Sequence, residues 1–348
     1  MRTIGKLRAR RRGRRAIGAA IVTAAFGIAG LTGVASAADT VRYGAQIGAQ
    51  YSLRTALVEL QGKYDLKYEF KDFRSGTENI LALEQREIDV STATSQHLLR
   101  AIEEQIPIVW VIGWGGGYNV LVARADLAVN AGDYAGLKKL ALERAAAGRK
   151  LKIAAPTGSM QHLLILTALQ NAGIRADRDV EIVNIPFPVH PRAIESGEVD
   201  LAGTLALFGA MSITSGKGKL FHHMFGGTWG KQEIGFFVHR KLIEEKPDFV
   251  QRLVASHAEA IARVSEPGAR YELEAKASKL PAPVLAMTEK EFLKVDYRTN
   301  IADVALMARR MRAVGWTKRD ISGDIDKNVD FRFLEKATGK SKSDLTQW

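Results

Sequence analysis

The sequence contains no cysteine among its 348 residues. Without thiols the chain forms no disulfide, binds no metal through thiolates and has no cysteine nucleophile. It also lacks two enzyme signatures at the turn after residues 152–155. The residues around Ser159 do not form a G-x-S-x-G elbow, and no Gly-Lys-Ser/Thr follows as in a phosphate-binding loop. We therefore expect no enzyme activity and no cofactor.

Acidic residues are absent from positions 1–37, which hold eight of the 50 basic residues. The remaining 42 basic residues face 38 acidic ones, so most of the formal charge of +12 belongs to this short segment. A nearly neutral body has no basic surface for nucleic acid. We expect no nucleic-acid partner.

Residues 1–37 have the layout of an export signal. A cationic stretch precedes the uncharged residues 16–37, which end in Ala35-Ser36-Ala37, an A-x-A cleavage site. We expect general secretion, cleavage after Ala37 and a periplasmic product. Two alternatives stay open: a retained membrane anchor, and twin-arginine export through Arg11-Arg12 or Arg14-Arg15.

From Asp39 onward, short apolar runs alternate with amphipathic helical patterns, which predicts an α/β fold. The order strand, helix, strand, helix, strand occurs twice. LEQREIDVS (83–91) matches IESGEVDLA (194–202) at an offset of 111, which also places VRYGAQIGAQYSLRTAL (41–57) on KIAAPTGSMQHLLILTA (152–168). The second strands, 65–73 and 179–187, match at an offset of 114. The repeat predicts two similar α/β lobes.

Two such lobes place the carboxyl ends of their strands around one cleft, where ligands bind in α/β proteins. We assign residues 38–128 and 230–348 to lobe 1 and residues 129–229 to lobe 2. The chain is then expected to cross between the lobes near 122–150 and 222–236. The glycine-rich segments 113–119 and 225–231 lie close to these crossings and suit a hinge.

Residues 39–335 resemble the exported substrate-binding proteins of ABC importers for sulfonates, taurine, nitrate and related small organic anions, a family similar to thiamine-pyrimidine synthases. The resemblance is carried by DFRSGTENILALEQREIDVSTATS (72–95), KIAAPTGSMQHLLILTALQNAGI (152–174), DVEIVNIPF (179–187), AIESGEVDLAGT (193–204), KPDFVQRLVASHAEAI (246–261) and MRAVGWTKRDIS (311–322). It implies the type II periplasmic-binding fold, two lobes that close on one ligand, and delivery to a membrane permease with its ATPase. The synthases carry a cysteine-rich segment, which this chain lacks.

Ligand contacts are expected where helices begin, because helix N-termini offer unpaired N–H groups and partial positive charge. The segments predicted to meet at the cleft are Gln46–Ser52, Ser75–Glu78, Ser91–His97, Trp114–Asn119 and Thr157–His162, with the loop Pro186–Arg192 as an optional sixth. They are rich in hydroxyls and amides, and Glu78 is their only acid. We therefore expect a ligand whose main polar group is anionic or neutral. The candidate ligand-binding residues are Gln46, Gln50, Tyr51, Ser75, Gly76, Thr77, Thr92, Thr94, Ser95, Trp114, Thr157, Gly158, Ser159, Met160, His162 and His190.

Simpler roles stay open for several of these residues. Ser75 and Thr157 are also suited to capping helices, and His162 to packing in a core. The adjacent His222 and His223 do not indicate a metal site, because neighbouring strand residues point to opposite faces.

The sequence leaves three functions open. The first is a monomeric receptor that delivers a small solute to a permease. The second is a sensory protein that presents its ligand to a signalling partner. The third, an exported enzyme on the same fold, is the least supported, and the identity of the ligand stays open in every case.

Overall fold

The computed structural model describes residues 38–46 and 50–348. The predicted export signal and Ile47–Ala49, in a predicted cleft segment, lie outside the described residues. Eleven strands form in the described part: β1 (Asp39–Gln46), β2 (Leu66–Phe73), β3 (Val90–Thr94), β4 (Ile108–Gly116), β5 (Asn119–Arg124), β6 (Leu151–Ala154), β7 (Val180–Val183), β8 (Leu201–Leu205), β9 (Gly218–His223), β10 (Ile234–His239) and β11 (Lys294–Val295).

Helices cover both sheets. They are α1 (Tyr51–Leu60), α2 (Gly76–Glu84), α3 (Ser95–Glu104), α4 (Tyr134–Ala146), α5 (Met160–Asn171), α6 (His190–Ser196), α7 (Ala206–Thr214), α8 (Arg240–Glu245), α9 (Pro247–Ser265), α10 (Pro267–Ala277), α11 (Ala282–Ala286), α12 (Ile301–Ala313), α13 (Arg332–Thr338) and α14 (Lys342–Leu345). Met287–Phe292 extends α11 with wider π-type turns. Within the described ranges, no helix has the length and apolarity needed to span a membrane.

The strands form two sheets, which confirms the predicted α/β class. The first sheet has the order β11-β4-β10-β3-β1-β2, and the second has the order β7-β6-β8-β5-β9. We call the parts of the chain built on these sheets lobe 1 and lobe 2. In each lobe three parallel strands stand beside one antiparallel strand, which is β10 in lobe 1 and β5 in lobe 2. The repeat seen in the sequence is therefore a repeat of topology.

An aspartate has the same role in each copy of the repeat. Asp89 Oδ2 accepts from the backbone N–H of Arg42 at 2.8 Å, and Asp200 Oδ2 accepts from that of Lys152 at 3.0 Å. Arginine side chains pair with both carboxylates, Arg42 with Asp89 and Arg144 with Asp200. Asp89 thus ties the start of β3 to β1, and Asp200 ties the start of β8 to β6.

Strand pairing corrects the offsets derived from the sequence. Arg42 corresponds to Lys152, an offset of 110, because both lie exposed beside the repeated aspartate. The offset of 111 would place buried Val41 on exposed Lys152 and reverse the faces of the strand. The second strands correspond at an offset of 112, since Tyr68 pairs with Val41 as Val180 pairs with Leu151. The predicted offset of 114 errs by two residues, which preserves the faces.

The two crossings between the lobes are short. The first is Gly117-Tyr118, between β4 and β5, rather than a segment near 122–150. The predicted boundary after residue 128 differs from the strand pairing, because β5 already lies in the second sheet. The second crossing runs from residue 224 to residue 233, as expected, and contains Gly226, Gly227 and Gly230 with positive φ.

Residues after the second crossing return to lobe 1, where β10 and β11 join the first sheet. The amphipathic helix α9 buries Val250, Leu253, Ile261 and Val264 and packs against α1. A second contact was not expected: α11 and the π-type segment pack against α7 of lobe 2. The C-terminal part of the chain therefore touches both lobes.

Candidate functional site: the interlobe cavity

A cavity of about 50 Å³ lies between the lobes, where β1, β4 and β8 end. A cavity of this size holds a few water molecules. The described residues that line this interlobe cavity are Gln50, Ser52, Trp114, Tyr118, Leu205, Leu207, Phe208, Glu274, Leu280, Leu285, Thr288, Glu289 and Leu293. Both lobes thus contribute to its wall, as a clamp requires.

The beginning of α1 forms one side of the cavity. Gln50 precedes the helix in the left-handed conformation, with φ of 63°, and its Oε1 accepts from the Tyr43 hydroxyl at 3.0 Å. No side chain caps this helix from its own start. Instead, Glu274 Oε2 accepts from the backbone N–H of Ser52 at 2.6 Å. A carboxylate from α10, 222 residues away, therefore occupies the electropositive end of α1.

A second carboxylate stands beside the first. Glu289 Oε2 accepts from Arg270 Nε at 2.9 Å, and both side chains are buried. Arg270 also donates to the backbone oxygens of Val264 and Leu293, at 3.0 Å each. Burial raises the pKa of Glu289 to about 7, with a further increase from the charge of Glu274 and an opposing effect of Arg270. Burial also raises the pKa of Glu274, against the stabilising amide of Ser52.

Tyr118 in the first crossing forms a third side of the cavity. Its hydroxyl accepts from Trp114 Nε1, and its backbone N–H donates to Glu233 Oε2 at 2.8 Å. Its backbone oxygen accepts from the N–H of Ala206, the first residue of α7, at 2.7 Å. Burial raises the pKa of Glu233 to about 7. The crossing is thus bonded to the start of a cavity helix and to the second crossing.

Lobe 2 presents an apolar wall. Leu205 stands at the N-cap of α7 without a side-chain cap, and Leu207 and Phe208 follow in the first turn. These residues correspond to Thr94–His97 of lobe 1 at the repeat offset of 111. In lobe 1 the same position is polar, because Thr94 and His97 form a capping box at the start of α3. The sequence repeat was therefore a signal that could have identified the lobe 2 wall.

The turn before α5 faces lobe 1 at another point. Gly158 O accepts from Gln96 Nε2 at 3.2 Å, and the His162 ring lies 5.5 Å from that of Trp316, edge to face. The N–H groups of this turn are bonded within lobe 2. Ser159 Oγ accepts from His162 N at 3.2 Å, His162 Nδ1 accepts from Gly158 N at 3.1 Å, and Asn184 Oδ1 accepts from Thr157 N at 2.9 Å. Burial lowers the pKa of His162, which favours the neutral ring that accepts this bond.

Two predicted residues, Gln50 and Trp114, line the interlobe cavity. Ser75 caps α2, as the simpler interpretation had it, whereas Ser159 rather than Thr157 caps α5. The predicted residues that lie outside the described lining are Gln46, Tyr51, Ser75, Gly76, Thr77, Thr92, Thr94, Ser95, Thr157, Gly158, Ser159, Met160, His162 and His190.

Some of these residues form a second polar group around His97. A Cβ on Gly76 would meet the His97 ring, and the Ser95 backbone N–H donates to Glu233 O at 2.8 Å. His190 lies apart from both groups, because it is fully buried in lobe 2 with Nε2 2.8 Å from Ile185 O. The structure therefore distributes predicted residues over four places: the interlobe cavity, the surroundings of His97, the turn before α5 and the core of lobe 2.

The candidate residues omit Tyr118, although it lies in the predicted cleft segment Trp114–Asn119, and they also omit Thr288, Glu274 and Glu289. The last three belong to the C-terminal part of the chain, which has no counterpart in the repeat and so no offset to place it. His222 and His223 bond to Tyr134 and to Gly117 O, and no group of three or more metal-ligating side chains occurs among the described residues.

Two lobes of repeated topology, two short crossings and a cavity walled by both define the type II periplasmic-binding fold. A sequence profile of the NMT1-like family matches residues 49–277, and the chain belongs to this family. Comparison with curated protein sequences gives no match.

Several solved structures share the fold. The alkanesulfonate-binding protein SsuA from Xanthomonas axonopodis pv. citri, bound to MOPS, is 20% identical over 84% of this chain and 98% of its own, with a TM-score of 0.67. The periplasmic nitrate-binding protein NrtA from Synechocystis PCC 6803 is 12% identical, over 86% and 88%, with a TM-score of 0.67. The desulfurization enzyme DSZB is 14% identical, over 86% and 99%, with a TM-score of 0.63. Binding proteins and an enzyme thus share this architecture.

Proposed function

We propose that the protein is a solute-binding receptor that captures one small organic molecule between its lobes. The observation that carries the proposal is the interlobe cavity, whose wall combines the start of α1 in lobe 1 with the start of α7 in lobe 2. A ligand held by both walls stabilises the arrangement in which they meet, so binding and lobe closure are coupled.

The proposal includes a place in the cell and a partner. Residues 1–37 direct the chain to the periplasm, where it acts as a monomer and delivers its solute to the permease of an ABC importer. The family and the structural relatives named for sulfonate and nitrate binding support this role. A sensory receptor would bind its ligand in the same way and differ only in its partner.

Both anionic and cationic solutes have to be tested. The sequence indicated an anionic or neutral polar group, as sulfonate and nitrate would supply. The carboxyl groups of the described cavity wall are those of Glu274 and Glu289, with the guanidinium of Arg270 behind the second. A solute panel must therefore contain sulfonates and nitrate alongside amines and neutral heterocycles.

A thermal-shift panel on the purified protein tests the proposal. The midpoint of unfolding should rise with the concentration of one class of solute, since a ligand that binds only the folded state stabilises it by mass action. At a concentration about 100 times Kd the gain is about 2.7 kcal/mol. No shift with any solute would contradict the receptor role.

The enzyme alternative requires a separate readout, because DSZB shares the fold. The solute that gives a shift is incubated with the protein and recovered. Unchanged solute is the result expected of a receptor, whereas protein-dependent conversion would replace the receptor by an enzyme.

A further inference from the structure

We propose that the solute presents a protonated amine, or a similar cationic N–H group, to the carboxylates of Glu274 and Glu289. This inference rests on the proposed function, since it names the chemistry of the solute held in the interlobe cavity. It adds a cation-binding subsite to the start of α1, where the sequence indicated a place for an anion.

The two carboxylates are built into the cavity and remain incompletely bonded. Glu274 and Glu289 are each 5% exposed and both line the cavity. Oε2 of Glu274 accepts from Ser52, and Oε2 of Glu289 accepts from Arg270. For Glu289, Arg270 is the hydrogen-bonding side chain among the described residues. Glu274 is also approached by the Ser52 hydroxyl and the Tyr51 amide, which lower its pKa. Because a carboxylate has two oxygens with about four acceptor positions, both side chains keep acceptor capacity for a ligand.

The charges near the cavity leave a net deficit of one positive charge. When both are ionised, the carboxylates carry two negative charges, and Arg270 supplies one positive charge to Glu289. The charge of Arg54 also acts on Glu274, but Arg54 is itself paired with Asp72, so these two charges cancel. The amide of Ser52 gives Glu274 a hydrogen bond but no full charge. A ligand with a single positive charge would complete the pairing, whereas an anion would add a third negative charge to a buried site.

The rest of the wall suits a small apolar body behind the cation. Leu205, Leu207 and Phe208 face the carboxylates from lobe 2, and Leu285 contributes further apolar surface. The Trp114 indole lines the cavity as well, and aromatic rings attract cations. The occupant we infer is therefore a short alkyl or cycloalkyl ammonium ion.

The ionisable groups that face Glu289 are Arg270 and Glu274 on α10 and Tyr118 at the first crossing. Because burial raises the pKa of Glu289 to about 7, a cationic ligand should bind more weakly as protonation removes that charge. Between pH 8 and pH 6 the affinity for an alkylammonium ion should fall by up to about tenfold, while the ligand itself stays protonated.

The experiment is a calorimetric titration of the full-length protein with three probes on one carbon skeleton: propylammonium, 1-propanol and propane-1-sulfonate. We expect propylammonium to bind at least about tenfold more tightly than either of the others. Glu289→Gln and Glu274→Gln keep the shape and an acceptor oxygen, and each should weaken propylammonium binding by about tenfold or more. Glu272→Gln is the matched control, an exposed position on the same helix as Glu274, and should leave affinity unchanged.

Two results overturn the inference: absent or weaker binding of propylammonium relative to the sulfonate, or a preference that survives both glutamine substitutions. The thermal-shift panel separates this failure from failure of the receptor role. If a sulfonate or nitrate stabilises the protein while propylammonium does not, the protein is a receptor and the cation subsite is wrong. If no solute stabilises it, the receptor role fails as well.

Discussion

The starts of α1 and α5 occupy equivalent places in the two lobes, yet their polar groups are satisfied in different ways. At α5, Ser159 and His162 bond to the turn itself. At α1, the bond to Ser52 comes from Glu274 on α10, which is 222 residues away along the chain. One helix start is complete within its own lobe, whereas the other takes its partner from a segment without a counterpart in the repeat.

This difference separates what the duplication preserved from what was added. The topology and the strand-linking aspartates are common to both lobes. The carboxylates at the cavity belong to lobe 1 alone, because α10 and the residues after α11 follow the second copy.

The largest expected effect concerns the shared aspartates. Asp89→Ala and Asp200→Ala each remove a buried acceptor from a strand amide and a pairing partner from an arginine. Each should lower the free energy of unfolding by about 2–3 kcal/mol. Chemical denaturation of the two variants measures this.

Comparable losses in both lobes are the result that supports a common role for Asp89 and Asp200. The conservative variants Asp89→Asn and Asp200→Asn keep an acceptor and should recover part of the stability. An unchanged free energy of unfolding for one of the two alanine variants would contradict a common role for the two aspartates.

The second prediction concerns the pH dependence of stability that Glu289 causes. Burial raises the pKa of Glu289 to about 7, so the folded state binds a proton that the unfolded state has released. Stability from this group is complete below the ordinary pKa of a glutamate and is lost as the pH rises towards 7. Glu289→Gln should therefore gain about 2 kcal/mol relative to the parent between pH 5 and pH 8.

Denaturant unfolding of both proteins across this pH range measures the difference. The exposed control Glu272→Gln should show no such trend. A gap between parent and Glu289→Gln that is constant with pH would contradict the burial of an ionisable Glu289.

A smaller effect belongs to the local cap of α5. Ser159→Ala removes the acceptor of the His162 amide and should cost about 1 kcal/mol of stability. Ser159→Thr retains a hydroxyl and should recover most of that loss in the same denaturation assay. Equal stability of the alanine and threonine variants would contradict the capping role of Ser159.

The smallest effect concerns binding through the lobe contact. Ser159→Ala combined with His162→Ala disturbs the turn that meets Gln96 and Trp316 across the lobes. Because this contact lies outside the described cavity wall, affinity for the solute should fall by only about two- to fivefold. A loss of a hundredfold in calorimetry would move the ligand to this turn.

The sequence predicted the α/β class of the fold, which the two sheets confirm. The reason is that alternating apolar runs and the repeated aspartates are local patterns that survive duplication. Gln50 and Trp114 were identified because both stand where a strand meets the cleft. Their neighbours in the cavity were harder to foresee.

Glu274 illustrates why. In the sequence it is one acid among several on an amphipathic helix, with Glu272 two positions earlier. Only the packing of α10 against α1 turns one of them inward and leaves the other in solvent. Leu205–Phe208 were predictable from the repeat, but their apolar side chains carry no binding signature of their own.

The most direct test of the interlobe cavity is to fill it from lobe 2. Leu207→Trp adds a large ring to the apolar wall, whereas Leu142→Trp places the same ring at an exposed position on α4. Each folded variant is titrated calorimetrically with the solute that stabilises the parent. The account predicts that Leu207→Trp weakens binding at least about a hundredfold and that Leu142→Trp leaves it unchanged; equal binding by both variants would contradict it.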